Sequence, residues 1–167
     1  MFCMERISAL IHLGEGTTTA EARALVQSLL AQSRVDLEVV VADGRPTRGK
    51  VPGDDRSGRV KAVRGPFASR AAEINACAQA AAGSILLLVD NRGAAVTLMK
   101  SCAETMAMAM RREGAGVAMV YGDYQTDVDG TVKDIRLLDH HIGRVRDFQD
   151  FGCVWMIDAK TFKRVGG

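Results

Sequence analysis

The most continuous apolar run in the chain, Ile85–Val89, consists only of aliphatic residues. A strand with one face in water alternates apolar and polar residues, whereas a run without alternation belongs at the centre of a parallel sheet covered on both faces. The run ends at Asp90-Asn91-Arg92-Gly93, whose polar residues and glycine mark the carboxyl end of the strand. The run therefore requires helices on both sides of a central sheet.

The rest of the chain alternates between short apolar runs and segments with helical periodicity. Aliphatic and β-branched runs predict further strands at residues 6–12, 35–42, 59–63, 116–121 and 152–157. Apolar residues at three-to-four spacing predict helices at 20–33, 69–82 and 97–112, and a helical turn at 159–163. Because strands and helices alternate, we expect an α/β fold with a doubly wound, mostly parallel sheet and helices on both faces. Residues 1–167 are interpreted as a single domain.

Local signals add detail to this outline. Thr18 and Glu21 have the spacing of a capping box, which predicts that a helix begins there. Asp127–Gly130 predicts a hairpin turn between strands at 124–127 and 131–138, towards the carboxyl end of the chain. Residues 44–58 are rich in glycine, proline and charge, and are expected to form a mobile loop without packed apolar residues.

The composition argues against several classes of partner. The net charge is only +2, from 22 basic and 20 acidic residues, which gives no electrostatic case for nucleic acid or for an anionic membrane. The apolar runs near the start of the chain and at Ile85–Val89 are too short to span a bilayer. The four cysteines form no CxxC pair and are expected to be reduced, which favours the cytoplasm.

Polar residues follow three of the predicted strands and are the candidates for a binding site. They are residues 12–15, Asp43 and Asp90. Ligands of open α/β sheets bind beyond the carboxyl ends of the strands, where a carboxylate accepts hydrogen bonds from a base or ribose or ligates a divalent metal. The alternative for each aspartate is a helix cap or a turn, in which aspartate before glycine is common.

A set of segments, in matching order and spacing, resembles the family 2 glycosyltransferases. They are SLLAQ at 28–32, DLEVVVADG at 36–44, RAAEIN at 70–75, AAGSILLLVDNR at 81–92, YGDY at 121–124 and FKRVGG at 162–167. Their agreement in order is more specific than any single motif, and the resemblance spans almost the whole chain. It implies a GT-A-type fold that binds a nucleotide-diphosphate sugar and transfers the sugar to a hydroxyl acceptor, usually with inversion and a divalent cation, Mn²⁺ or Mg²⁺.

The resemblance also assigns roles to individual residues. Asp43 would lie near the nucleobase and ribose, and Asp90 would be the first acid of a DxD-type motif, near the diphosphate and its metal. Arg70 and Asn75 would lie at the rim, where Arg70 contacts phosphate. Glu15, after the first strand, and Arg92 complete the predicted donor site.

The chain departs from the family pattern at several of these positions. His12 replaces a proline, Ala42 replaces the first acid before Asp43, and Arg45 replaces a serine. Arg92 stands at the second acid of the DxD motif, and a guanidinium cannot ligate a metal. Either Arg92 binds the diphosphate in place of the metal, or the site has lost catalysis and serves binding or structure only.

No residue is identified as the general base that inverting transfer requires. His140-His141 is interpreted as a solvated loop rather than a metal pair, and Trp155 as a core residue rather than an acceptor platform. Two rival functions are a sugar nucleotidyltransferase and a degenerate domain with a role in assembly. A sugar nucleotidyltransferase requires a basic, glycine-rich loop after the first strand, whereas the loop at residues 14–17 is acidic.

Overall fold

A computed structural model of the chain describes residues 5–14, 16–46, 49–54, 56–112, 116–137 and 149–167. The strands are β1 (Arg6–Leu13), β2 (Asp36–Asp43), β3 (Val60–Arg64), β4 (Ile85–Val89), β5 (Met119–Tyr121), β6 (Tyr124–Val128), β7 (Thr131–Ile135) and β8 (Val154–Asp158). The helices are α1 (Thr19–Leu30), α2 (Arg70–Ala80), α3 (Cys102–Arg112) and α4 (Ala159–Arg164). No helix in these described ranges is long and apolar enough to cross a membrane.

Six strands form one sheet in the order β3-β2-β1-β4-β8-β5. The pairs β1/β2, β1/β4 and β2/β3 are parallel, while β8 is antiparallel to both β4 and β5. The strands β6 and β7 form the separate hairpin that Asp127–Gly130 predicts, in which Asp127 Oδ1 accepts the N–H of Gly130 at 2.8 Å. The α/β fold with a mostly parallel sheet is therefore confirmed.

The buried run of β4 contributes to two cores, one on each face of the sheet. Ile85, Leu87 and Val89 pack on one face together with apolar residues of α1 and α3. Leu86 and Leu88 pack on the other face with residues of α2 and α4. The absence of polar alternation in this strand thus follows from its position under helices on both sides.

Helix α1 begins as the capping box predicts. The Thr18 hydroxyl accepts the N–H of Glu21 at 3.2 Å, and Glu21 Oε2 accepts the N–H of Thr18 at 2.9 Å. Helix α3 begins later than predicted, at Cys102 instead of residue 97. Upstream, the N–H of Leu98 donates to the Ser28 hydroxyl at 3.1 Å, so this residue is tied to α1 instead of starting a helical ladder.

The segment 44–58 was expected to contain no packed residue, and this expectation is wrong at Val51. Val51 is only 6% exposed and belongs to the core shared with α1. Gly53 lies against the same helix, where a Cβ would come within 2.9 Å of the Arg23 carbonyl oxygen. One valine between glycines and charges is enough to anchor the segment, which the average composition of the segment does not reveal.

Buried polar contacts hold the amino edge of the sheet, opposite to the predicted site. The Glu38 side chain is fully buried and accepts hydrogen bonds from the Ser8 hydroxyl at 2.7 Å and from the Ala82 N–H at 2.6 Å. Lys61 Nζ lies 2.7 Å from the same carboxylate. The N–H of Gly83 donates to the Ser8 hydroxyl at 2.8 Å, so that β1, β2, β3 and the turn before β4 are joined.

Candidate functional site

The carboxyl ends of the parallel strands bring three short segments together. Leu13 and Asp43 pair at the ends of β1 and β2, and β4 runs parallel to β1 on its other side. Residues 12–14, 43–45 and 90–92 therefore meet at one edge of the sheet. This is where ligands of open α/β sheets bind.

Asn91 fixes the ends of β1 and β4 relative to each other. Its Oδ1 accepts the N–H of His12 at 3.0 Å, and its Nδ2 donates to the carbonyl of His12 at 2.7 Å. The residue is buried, with 9% exposure. Because Asp90 and Arg92 flank Asn91 in sequence, their backbone is fixed at the edge as well.

His12 and Arg92 share one carboxylate, that of Glu73 on α2. His12 Nδ1 lies 2.9 Å from Glu73 Oε1, and Arg92 Nη2 contacts Glu73 Oε2. Burial lowers the pKa of His12, the charge of Arg92 lowers it further, and Asp90 and Asp43 partly oppose this. The lowered pKa favours the neutral form of the imidazole, which lies beside the Glu73–Arg92 ion pair.

Asp90 pairs with the first residue of α2. Arg70 Nη2 donates to Asp90 Oδ2 at 2.6 Å, and the N–H of Asp90 donates to the carbonyl of Cys153 beside β8 at 2.8 Å.

Burial lowers the pKa of Arg92, and the charge of Arg70 lowers it further. The two guanidinium groups are therefore near enough to repel each other.

Asp43 lies at the same edge, but its carboxylate is enclosed by two arginines. Oδ1 accepts the backbone N–H and the Nε–H of Arg45 at 3.1 and 2.9 Å, and Oδ2 accepts Arg45 Nη2 at 2.8 Å and also Arg64 Nη1. The side chain has no exposed surface. These bonds, above all the one from the Arg45 side chain, hold the pKa of Asp43 below its usual value. A role for Asp43 in binding a base requires at least one arginine to move.

A cleft of about 460 Å³ opens beside this edge. It lies between Gly14 after β1, Thr17 and Glu21 at the start of α1, and residues 91–96 after β4. Its volume is within the range of small-molecule sites. A second, small pocket of about 30 Å³, room for about one water molecule, lies under Arg70 and Asp90. His12 and Arg92 line both spaces.

The structure brings three residues of the predicted donor site together and places another elsewhere. Arg70, Asp90 and Arg92 lie around one pocket. Asn75 lies against the other end of the chain, where a Cβ on Gly167 would contact its side chain. Glu15 and the pair His140-His141 lie outside the described residues. Trp155 is half-buried in the core beside α4, with its Nε1–H donating to the Phe151 carbonyl at 2.9 Å.

Sequence reasoning did not select Glu73 and Asn91. Glu73 precedes the apolar residue Ile74 and lies one helical turn before Cys77, so it is an acid on the buried face of α2. A charged residue at such a position signals a buried partner. Asn91 had no comparable signal, because a polar residue after a strand is ordinary in turns.

The donor set at this edge does not fit a divalent cation. Asp90 is the single carboxylate of the DxD-like segment, and its Oδ2 is bound by Arg70 at 2.6 Å. Arg92 replaces the second acid and brings positive charge instead of ligand oxygens. Within the described parts of the chain, no group of three or more histidine, cysteine, aspartate or glutamate side chains is arranged to hold a metal.

Comparison with known proteins identifies the fold. No protein-family model and no curated protein matches the chain. Among solved structures, the chain is similar to the mannosyltransferase PcManGT from Pyrobaculum calidifontis in complex with GDP-Man and Mn²⁺, with a TM-score of 0.64 and 14% sequence identity. The similarity covers 99% of this chain and 48% of the mannosyltransferase, so the chain spans about half of that protein's length.

The chain thus has a glycosyltransferase-like fold of the GT-A type. The structural similarity does not reach the finer assignment to family 2, which stays a prediction from the sequence segments. Fold alone does not establish an activity, because function depends on the residues of the site.

Proposed function

We propose that this chain binds a nucleotide-diphosphate sugar at the carboxyl edge of β1, β2 and β4, as the donor-binding part of a glycosyltransferase. The acceptor in this proposal is a hydroxyl group, as the resemblance to family 2 implies. GDP-mannose is the first sugar nucleotide to test, because the structurally similar mannosyltransferase is in complex with it.

The observation that carries the proposal is the meeting of a ligand-sized cleft with two arginines at this edge. Arg92 lines both the 460 Å³ cleft and the small pocket, and Arg70 lies on the small pocket's rim. Guanidinium groups bind phosphate oxygens through charge-assisted hydrogen bonds. A sugar or nucleoside of the ligand would occupy the cleft, and its diphosphate would lie at the arginines.

The enclosed aspartate favours a second candidate, a domain that has lost catalysis and serves binding or assembly. Both oxygens of Asp43 are occupied by Arg45 and Arg64, so this carboxylate offers little to a nucleobase. The carboxylates of Asp123 and Asp150 likewise form contacts within the fold. They accept hydrogen bonds from the backbone N–H groups of Leu137 and Gly152. A domain of this kind with an assembly role would bind the nucleotide weakly or not at all.

Titration calorimetry separates the two candidates. We would titrate the chain with GDP, UDP, GDP-mannose and UDP-glucose, each in EDTA and in Mn²⁺. The proposal expects saturable binding of at least one nucleotide, weakened in Asp90→Ala and in Arg70→Ala. No binding of any nucleotide in either buffer would reject it, and would favour the assembly role.

A matched control uses an exposed arginine that lines neither the cleft nor the small pocket. The Arg136 side chain is 82% exposed and forms an ion pair with Asp123 at 3.7 Å. Arg136→Ala should leave nucleotide binding unchanged. Equal losses in Arg136→Ala and Arg70→Ala would show that the effect comes from overall charge and not from the site.

A further inference from the structure

The contacts around Asp90 show which positively charged groups lie where a diphosphate of the proposed ligand would bind. The positive charge beside Asp90 comes from two side chains, Arg70, which contacts Asp90, and Arg92, which contacts Glu73. A divalent cation placed at Asp90 would compete with Arg70 for the carboxylate and would be repelled by Arg92. The residues that exclude a metal are therefore also the residues suited to bind phosphate.

We propose, on the basis of the nucleotide site proposed above, that Arg70 and Arg92 together bind the diphosphate without a divalent cation. The ligand class is a nucleoside diphosphate or its sugar, and the two guanidinium groups contact the non-bridging phosphate oxygens.

The way in which the two arginines are held supports this role. In the described part of the chain each of them contacts its carboxylate through a single nitrogen, Nη2. Among the described residues, no further partner takes the remaining N–H groups of either guanidinium, and these groups suit a ligand. Arg45 differs, because it donates both Nε–H and Nη2–H to Asp43 and is thereby used as a structural contact.

The mutual repulsion of the two arginines also supports the binding of an anion between them. Arg92 is partly buried, and the charge of Arg70 adds to the burial in lowering its pKa. An anion between two nearby guanidinium groups removes this repulsion. Arg70 is also the first residue of α2, an eleven-residue helix whose amino terminus carries partial positive charge at the same place.

Asp90 and Glu73 act as positioning residues in this arrangement. Each holds one guanidinium in a fixed direction, and the Asn91–His12 contact fixes the backbone between Asp90 and Arg92. Their negative charges also reduce the net charge of the rim. Binding is therefore expected to be moderate in strength and to weaken as salt screens the arginines.

The test is titration of the chain with GDP and with UDP in EDTA and in Mn²⁺. We expect dissociation constants in the two buffers that agree within about threefold, and a loss of about 10- to 100-fold in Arg92→Ala, the size of a charge-assisted hydrogen bond. Nucleotide binding that appears only with Mn²⁺ would overturn the metal-free mode and leave the proposed function intact. No binding in either buffer would reject both.

A second variant makes the test reciprocal. Arg92→Asp restores an acid at the second DxD position beside Asp90. It should lose binding in EDTA and regain it in Mn²⁺, because two carboxylates and a diphosphate suit a divalent cation. If Arg92→Asp bound GDP in EDTA as tightly as the unaltered chain, Arg92 would have no part in the site. Arg136→Ala is again the matched control, and thermal melting of each variant reports whether it is folded.

Discussion

Asn91 and His12 exchange two hydrogen bonds, one in each direction, between an amide side chain and a strand backbone. The amide oxygen accepts at 3.0 Å and the amide nitrogen donates at 2.7 Å. The contact continues the pairing of β1 and β4 beyond Leu10 and Leu88, the last pair of their ladder. The Asn91 side chain thus makes the hydrogen bonds that the next backbone pair would make, and it fixes the backbone of the residues on each side of it.

Removal of this amide should destabilise the fold. Asn91→Ala leaves the half-buried N–H and carbonyl of His12 without their partners, which costs about 1–3 kcal/mol for each unsatisfied group. Urea denaturation measures the loss in the free energy of unfolding. Gln125→Ala, which removes an exposed side-chain hydrogen bond to Asp134, is the control and should change it by less than about 0.5 kcal/mol. Equal effects of the two substitutions would contradict the role of Asn91.

The His12 imidazole should titrate below its ordinary value of 6.5, because burial and Arg92 disfavour its charged form despite Glu73, Asp90 and Asp43. The pKa of His12 is lower in the folded chain than in the unfolded chain. The fold therefore keeps its full stability at pH values above the unfolded pKa, where the ring is neutral in both states. The free energy of unfolding should fall as the pH drops below 6.5. NMR titration measures the pKa, with the resonance assigned by its loss in His12→Gln. Arg92→Ala should raise this pKa, and an unchanged value would contradict the proximity of the two side chains.

Gly83 should tolerate no side chain. A Cβ there would lie 2.5 Å from the Arg6 carbonyl oxygen and 2.8 Å from the Ser8 N–H nitrogen, both backbone atoms of β1. Gly83→Ala should therefore lower the free energy of unfolding by about 1–3 kcal/mol or more, since the strand has to shift. Gly122→Ala is the matched control, because its Cβ would meet nothing within 4 Å. A thermal melting temperature equal to that of Gly122→Ala would argue against the close approach.

Asp43→Asn should lower stability at neutral pH, because Arg45 and Arg64 lose the charge that both contact. The expected loss is about 3 kcal/mol, as for the breaking of a buried ion pair. The pKa of Asp43 is lowered in the folded chain, so its contribution is present above the ordinary value of 3.8 and is lost as the pH falls through the folded value. The difference between the variant and the unaltered chain should accordingly shrink in strong acid. In the exposed pair, Asp123→Asn should cost less than about 1 kcal/mol at either pH.

The strands and helices near the site were predictable because their signals are local. Ile85–Val89 and the Thr18 cap depend on neighbouring residues, and the structure confirms both. The place of β8 between β4 and β5 was not predictable, because no local pattern states which strand a short apolar segment will join. The start of α3 was missed for a similar reason: the Gln32 side chain of the distant α1–β2 connection accepts the N–H of Ala103 at 2.8 Å.

In the candidate site, too, the residues in recognisable sequence segments were predictable, whereas their contacts were not. Asp90, Arg70 and Arg92 could be selected from sequence because they lie in recognisable segments, and they come together in space. The contacts that decide their chemistry could not, because Glu73 reaches His12 and Arg92 only after α2 has packed on the sheet. The enclosure of Asp43 by Arg64 depends in the same way on the pairing of β2 with β3.

The insertion of β8 between β4 and β5 has a consequence for the chain during its synthesis. Leu87 pairs with Met156, so one side of β4 stays unpaired until β8 has left the ribosome. An unpaired, aliphatic strand edge is a template for intermolecular pairing. A nascent chain that ends before residue 154 therefore exposes this edge of β4, and the addition of β8 covers it.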